Sequence, residues 1–340
     1  MPHLESKTKL IITASVNKYI NPQIYIMSSI FDTYRLLDTL SHEDEADYRV
    51  FVQDPDNLED GLMAVAGLTL NLLENHWSEH KLMTILTSCD GIAPEMFERI
   101  IVGVILIMMR YDREIRHNQA LLEDLQEVLT FAPELSYTAL CNIARTTQIK
   151  RMEQFNQQLS QELLPLMNDR HSNEFYDIIR SKQTEMEHIA KMHLDQNFLI
   201  FREFYSSPFF RDDAANWLMP WKEQALLSLD EEDREDVDGL IQLWPLCDSD
   251  KYALCQAYHM FKRVIKSQLS VDSLKEAGLD MPNNQIVTNG YVQQLYRFFR
   301  LSSHTQVRPF DLAHQLRNLM VYRLIVVGER AKESIDQLLG

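Results

Sequence analysis

Apolar residues recur along the chain at steps of three and four. Between Leu58 and Asn75, the residues Leu62, Val65, Leu68, Leu72 and Leu73 share one face of a 3.6-residue period. Within Asp112–Thr130 the same spacing joins Ile115, Leu121, Leu122, Leu125, Val128 and Leu129. A further face is marked by Met152, Phe155, Leu159, Leu163, Leu166 and Met167. The run Ile100–Met109 is apolar throughout, between Arg99 and Arg110. Its ten residues fall short of the about 20 that span a bilayer, so it predicts a buried helix. Strict alternation of apolar and polar residues is hard to find. The pattern predicts an all-α fold.

Prolines punctuate that pattern. Pro55, Pro94, Pro133, Pro165, Pro208, Pro245 and Pro282 stand 39, 39, 32, 43, 37 and 37 residues apart. Proline fits the first turn of a helix and breaks its interior. In Ala93-Pro94-Glu95 and Ala132-Pro133-Glu134, an acid also follows where the helix dipole is positive. Shifting the chain by 39 residues sets Ile101 on Leu140, Val104 on Ile143, Leu125 on Leu164 and Val128 on Met167. A period near 40 with two helices per unit predicts stacked antiparallel helix pairs. The expected architecture is an irregular α-solenoid, tetratricopeptide-like or HEAT-like; evenly spaced helices in an irregular all-α domain are the alternative. Turn-rich breaks at 205–221, 230–239 and 278–290 suggest an amino-terminal block (1–204) and a carboxy-terminal block (205–340), packed as one continuous array.

Composition narrows the function. Glycine supplies 9 of 340 residues, where about 7% is usual, which disfavours sheet turns and phosphate-cradling loops. With 33 basic and 50 acidic residues the net charge is −17, which repels nucleic acid and anionic lipid. No membrane span and no secretory signal are expected; the first residues offer only Leu10–Ile12 as an apolar stretch. Cys89, Cys141, Cys247 and Cys255 form no CxxC and read as reduced thiols in a cytoplasmic protein.

Catalytic chemistry finds little support. His76-Trp77-Ser78-Glu79-His80 has the HxxEH order of inverted zinc peptidases, with two histidines one helical turn apart and Glu79 placed as base. The residues before it lack the small side chains of such a helix, so an ordinary pair of surface histidines is the expected reading. His188 and His193 point to different faces, and the Cys247–Cys255 spacing fits no zinc module. The acidic run Asp230, Glu231, Glu232, Asp233, Glu235, Asp236 and Asp238 lacks the ligand spacing of a calcium loop and reads as a solvated helix start. GxSxG, GxxxxGK[ST] and GxGxxG are absent. No cofactor and no enzymatic activity are expected.

Aromatic residues are the strongest sign of binding. Residues 198–221 hold Phe198, Phe201, Phe204, Tyr205, Phe209, Phe210, Trp217 and Trp221. Such a band is either a core junction or a groove for an apolar partner segment. A second cluster, Tyr291, Tyr296, Arg297, Phe298, Phe299 and Arg300, lies in a segment (283–340) with seven basic and four acidic residues. The expected partner-binding residues are Phe209, Phe210, Trp217, Trp221, Tyr291, Tyr296, Arg297 and Arg300.

The strings Phe204-Tyr205-Ser206-Ser207-Pro208-Phe209-Phe210 and Asn216-Trp217-Leu218-Met219-Pro220-Trp221 resemble a region of large uncharacterised bacterial proteins of the tetratricopeptide-repeat type. Cys247–Cys255 and Tyr291–Phe299 are similar to other stretches of that group, so the resemblance covers roughly 200–300. It implies a helical scaffold and no reaction. No clean Trp-x-x-Leu-Gly register at 34 residues is present, and Glu329–Leu339 still reads as helix, as in the amino-terminal half of a longer protein. The leading expectation is a non-enzymatic scaffold that binds a protein partner. The alternatives are a zinc hydrolase using His76, Glu79 and His80, and a self-assembling protein whose acidic run meets the basic carboxy-terminal segment of a second copy.

Overall fold

A computed structural model describes residues 22–163, 177–178, 180–185, 195, 197–244, 246–268 and 283–339. Among these residues the secondary structure is entirely helical. Leu10–Ile12, Leu164, Pro165, Met167, His188, His193, Pro245 and Pro282 lie outside the described residues.

The amino-terminal part consists of α1 (Pro22–Arg35), α2 (His42–Gln53), α3 (Leu58–Glu74), α4 (Glu79–Thr87), α5 (Pro94–Arg110), α6 (Asp112–Arg116), α7 (Gln119–Phe131), α8 (Pro133–Arg145) and α9 (Ile149–Leu163). Helix starts follow local chemistry. Ser41 and Asp44 form a capping box at α2, while the Ser78 and Asn118 side chains accept from the N–H groups of Lys81 and Leu121. Pro94 and Pro133 open α5 and α8, as the proline spacing predicts, and Pro55 opens a 3₁₀ turn before α3.

α3 packs on α5 and α5 on α8, while α4 touches α7 behind them. The matched pairs Ile101/Leu140 and Val104/Ile143 are all fully buried. Glycine permits the close approach of α3 and α5: a Cβ on Gly103 would fall 2.9 Å from Cγ2 and Oγ1 of Thr69.

The remaining chain contains α10 (Asn197–Phe201), α11 (Pro208–Asp212), α12 (Glu231–Leu243), α13 (Asp248–Gln268), α14 (Asn283–Leu301), α15 (Met320–Ile325) and α16 (Glu329–Leu339). A 3₁₀ segment, Pro309–Asn318, joins α14 to α15. α14, that segment and α15 all lie against α5, whose apolar run is buried on every side. One hydrophobic core therefore extends from Met27 to Ile335. This closure differs from an open array, in which a helix pair meets only its sequence neighbours. A smaller cluster of Ile149, Met152, Phe155 and Phe198 flanks it.

Polar groups inside this body are fitted to specific carbonyls. The α1 end leaves carbonyls without helical partners. Asn71 Nδ2 donates to the Arg35 and Leu37 oxygens at 2.8 Å, and Lys81 Nζ donates to Leu37 and Asp38 at 2.8 and 3.1 Å. A cation thus meets the negative end of the helix dipole.

Candidate functional site

A groove of about 620 Å³ lies between α8 and the α15–α16 corner. Pro133 ends α7 and starts α8, which sets Leu129 and Pro133 on one wall. Leu324, Ile325 and Val327 form the opposite wall. The chain turns there through Gly328, whose φ of +95° suits a residue without a side chain. The second wall is anchored at several points. Asp112 Oδ1 accepts from the Met320 N–H at 2.6 Å, and Tyr137 donates to the Ala331 oxygen at 3.2 Å. Gln148 Nε2 reaches the Leu338 oxygen at 2.9 Å, and Arg317 Nε reaches Asp336 at 2.8 Å. Val327, on the wall, is 80% exposed, as is Phe131, which follows the lining residue Thr130. Phe131 also packs edge-on to Phe97. The groove offers apolar contact beside the hydroxyls of Thr130, Ser136, Tyr137 and Ser334 and the carboxylate of Glu134.

The aromatic band occupies a different place. Phe210 and Trp217 are buried, with Tyr205 stacked on Trp217 at 4.9 Å and Trp217 Nε1 donating to the Phe210 oxygen at 2.8 Å. Tyr291 is buried beneath the Arg99 guanidinium, which lies 4.6 Å from its ring centre. Phe209, Trp221 and Tyr296 are half-buried, and Arg300 is exposed. Phe209 and Trp221 both lean on Tyr252. Of the eight residues expected to meet a partner, Phe210, Trp217, Tyr291 and Arg297 have their contacts inside the chain.

Arg297 is the centre of a buried ionic network. Its Nε and Nη2 donate to Asp250 at 2.7 Å each, and its Nη1 and Nη2 reach Asp195 at 2.7 and 3.2 Å. Tyr205 donates to Asp250 Oδ1 at 2.7 Å and lies 2.8 Å from the Ser249 hydroxyl. Burial pushes the Asp250 carboxyl up, and Arg297 opposes that shift. Burial also raises the neighbouring Cys247 thiol far above its usual range. Asp195 lies 102 residues from Arg297 and carries no motif; the network was not legible in the sequence.

The HxxEH reading needs correction. His76 precedes α4, because Ser78 caps that helix at Glu79, and so the two histidines do not share a helical face. All three side chains are exposed. Glu79 accepts from Asn118 at 3.0 Å, and His80 faces Glu45 at 3.8 Å. Among the described residues, only Glu232, Asp233 and Asp236 bring three acidic, histidine or cysteine groups within reach of one ion. They belong to the first two turns of α12, and Lys262 pairs with Glu232 and Asp233 while Tyr258 donates to Asp236. The acidic run is a helix start whose residues are exposed or half-buried except Asp233, which is buried against Lys262 and His259.

No helix among the described residues is long and apolar enough to cross a membrane. Comparison with family models, with curated proteins and with solved structures finds no match for this chain.

Proposed function

We propose that the chain is a non-enzymatic helical scaffold that binds a protein partner through the groove between α8 and the α15–α16 corner. The observation that carries this reading is the groove's exposed apolar rim on well-anchored walls. Val327 lines the groove at 80% exposure, and Phe131, also 80% exposed, follows the lining residue Thr130 in the chain. Aromatic and aliphatic anchors of that kind contribute most of the energy of such interfaces.

The architecture is read as an irregular array of stacked helix pairs. Support comes from the succession α3, α5, α8, with α4 and α7 behind, closed on one side by α14 and α15. The likeness to tetratricopeptide-type proteins fits the same reading. A cytoplasmic location is proposed from the four unpaired cysteines, three of them buried. The negative charge favours a protein over a nucleic acid as partner.

The test is co-purification from host lysate with the natural chain and with the double variant Val327→Asp, Phe131→Ser. A stoichiometric partner held by the natural chain and lost from the variant is the expected outcome. Retention of the partner by a folded variant, or capture of none by the natural chain, would overturn the groove assignment.

A further inference from the structure

A second, smaller cavity of about 40 Å³ lies where the end of α8 and the 3₁₀ turn Thr146–Gln148 meet α14. Asn142, Arg145, Thr146, Asp195, Gln293 and Tyr296 line it. A space of that size exceeds the about 10–15 Å³ that one water needs. Two of its buried donors have no hydrogen-bond partner: Asn142 Nδ2 and Arg145 Nε. Asn142 is only 5% exposed. Its other amide atom, Oδ1, already accepts from Arg145 Nη1 at 2.5 Å. That bond ties the guanidinium to the amide.

The two charged side chains that line this cavity, Arg145 and Asp195, do not pair with each other. Arg145 is half-buried and has no carboxylate within ion-pair distance among the described residues. Burial lowers its affinity for the proton. Asp195 lines the same cavity, but its oxygens are taken by Arg297 and by the Phe198 N–H, the last at 3.2 Å. The other deeply placed guanidiniums are differently served. Arg297 has two carboxylates, Arg35 has Glu74, and Arg99 donates to the Leu62 and Leu218 oxygens. Arg145 alone among these four combines a missing counter-charge, an unused N–H and an adjoining space.

A partly buried guanidinium with an unpartnered N–H and no direct ion pair is destabilising, and an anion that accepts from it offsets part of that cost. We infer that Arg145 and Asn142 form a binding site for a small monocarboxylate, one oxygen accepting from Arg145 Nε and an oxygen accepting from Asn142 Nδ2. Planar guanidinium edges match planar carboxylates. A phosphate dianion fits poorly, because Arg297 with Asp195 and Asp250 sums to one negative charge next to the site.

Sodium formate, titrated at constant ionic strength against sodium chloride, is the probe. The readout is the Nε–Hε resonance of Arg145 in the ¹⁵N-labelled full chain, assigned by its loss in Arg145→Lys. A saturable shift is expected that chloride does not reproduce. Asn142→Asp should weaken formate binding at least tenfold, since its carboxylate takes the place of the donor and repels the anion. Absence of a saturable shift, an equal shift with chloride, or unchanged binding in a folded Asn142→Asp variant would overturn the inference. If either variant fails to fold, a crystal of the natural chain soaked in formate decides. Formate within hydrogen-bond distance of both donors supports the site, and a water or an empty cavity there refutes it.

Discussion

Arg297 meets Asp250 in a two-pronged ion pair from which solvent is wholly excluded, with both side chains 0% exposed and both N–H···O distances 2.7 Å. The pair joins α13 to α14, and Asp195 extends it to the chain just before α10. Burial of this kind stabilises a fold less than its Coulomb energy suggests, yet removing one partner leaves the other stranded. Arg297→Met is therefore expected to cost about 3–5 kcal/mol in urea unfolding. The double variant Arg297→Met, Asp250→Leu should recover at least about 1 kcal/mol of that loss, because neighbouring charges couple. Equal losses in the single and double variants would show that the pair is not coupled.

The α3–α5 contact makes a separate prediction. Gly103→Ala gains about 1 kcal/mol of helix propensity but sets a methyl 2.9 Å from Thr69. Overpacking of a filled core costs about 1–3 kcal/mol, so a net loss is expected. Thr69→Ala removes the obstructing atoms together with a buried hydroxyl that has no partner. The double variant should thus be more stable than Gly103→Ala alone by denaturant midpoint. A double variant no better than the single would place the strain elsewhere.

Much of the helical layout was legible because its signals are local. Pro94, Pro133 and Pro208 open helices, and Ile101 and Leu140, which the 39-residue offset sets together, are both fully buried. The packing of the carboxy-terminal part was not legible. Contacts of α14 and α15 with α5 join segments some two hundred residues apart, and no local propensity encodes them. The aromatic band was legible as a place but not as an environment. Trp217 and Trp221 have the same type and similar neighbours, yet only one is sealed in the core. The groove was missed because Leu324, Ile325 and Val327 look like ordinary helix-end residues until α8 is set opposite them.

Glu98 gives a pH dependence with a definite sign. Burial, reinforced by Glu95, raises its carboxyl from 4.5 to about 7, and Oε2 has no hydrogen-bond partner. Between pH 4.5 and 7 the unfolded chain has released this proton while the folded chain keeps it. Fewer protons are then bound in the unfolded state, so this group makes stability fall as pH rises through that window. Glu98→Gln should remove that part of the slope. Urea midpoints at pH 5 and pH 7.5 are expected to differ less, in the sense of a smaller loss at high pH, for the variant than for the natural chain. An unchanged difference would mean that Glu98 is solvated in the folded protein.

Trp217 and Trp221 separate core from surface within the aromatic band. Trp217 is buried, stacks on Tyr205 and donates to the Phe210 oxygen, which also lies 3.2 Å from His304 Nε2. Trp217→Ala removes a large side chain and opens a cavity at that junction, at a cost of about 3–5 kcal/mol. Trp221 is half-buried and meets Tyr252 edge-on with ring centres 4.9 Å apart. An aromatic pair of that geometry contributes about 0.5–1.5 kcal/mol beyond the area it covers, so Trp221→Ala should leave a folded chain with a modestly lower urea midpoint. Because the Tyr252 hydroxyl also donates to the Pro220 oxygen at 2.9 Å, the backbone beside Trp221 stays fixed when the indole is removed. Equal destabilisation by the two substitutions would contradict this division and would place Trp221 in the core with Trp217.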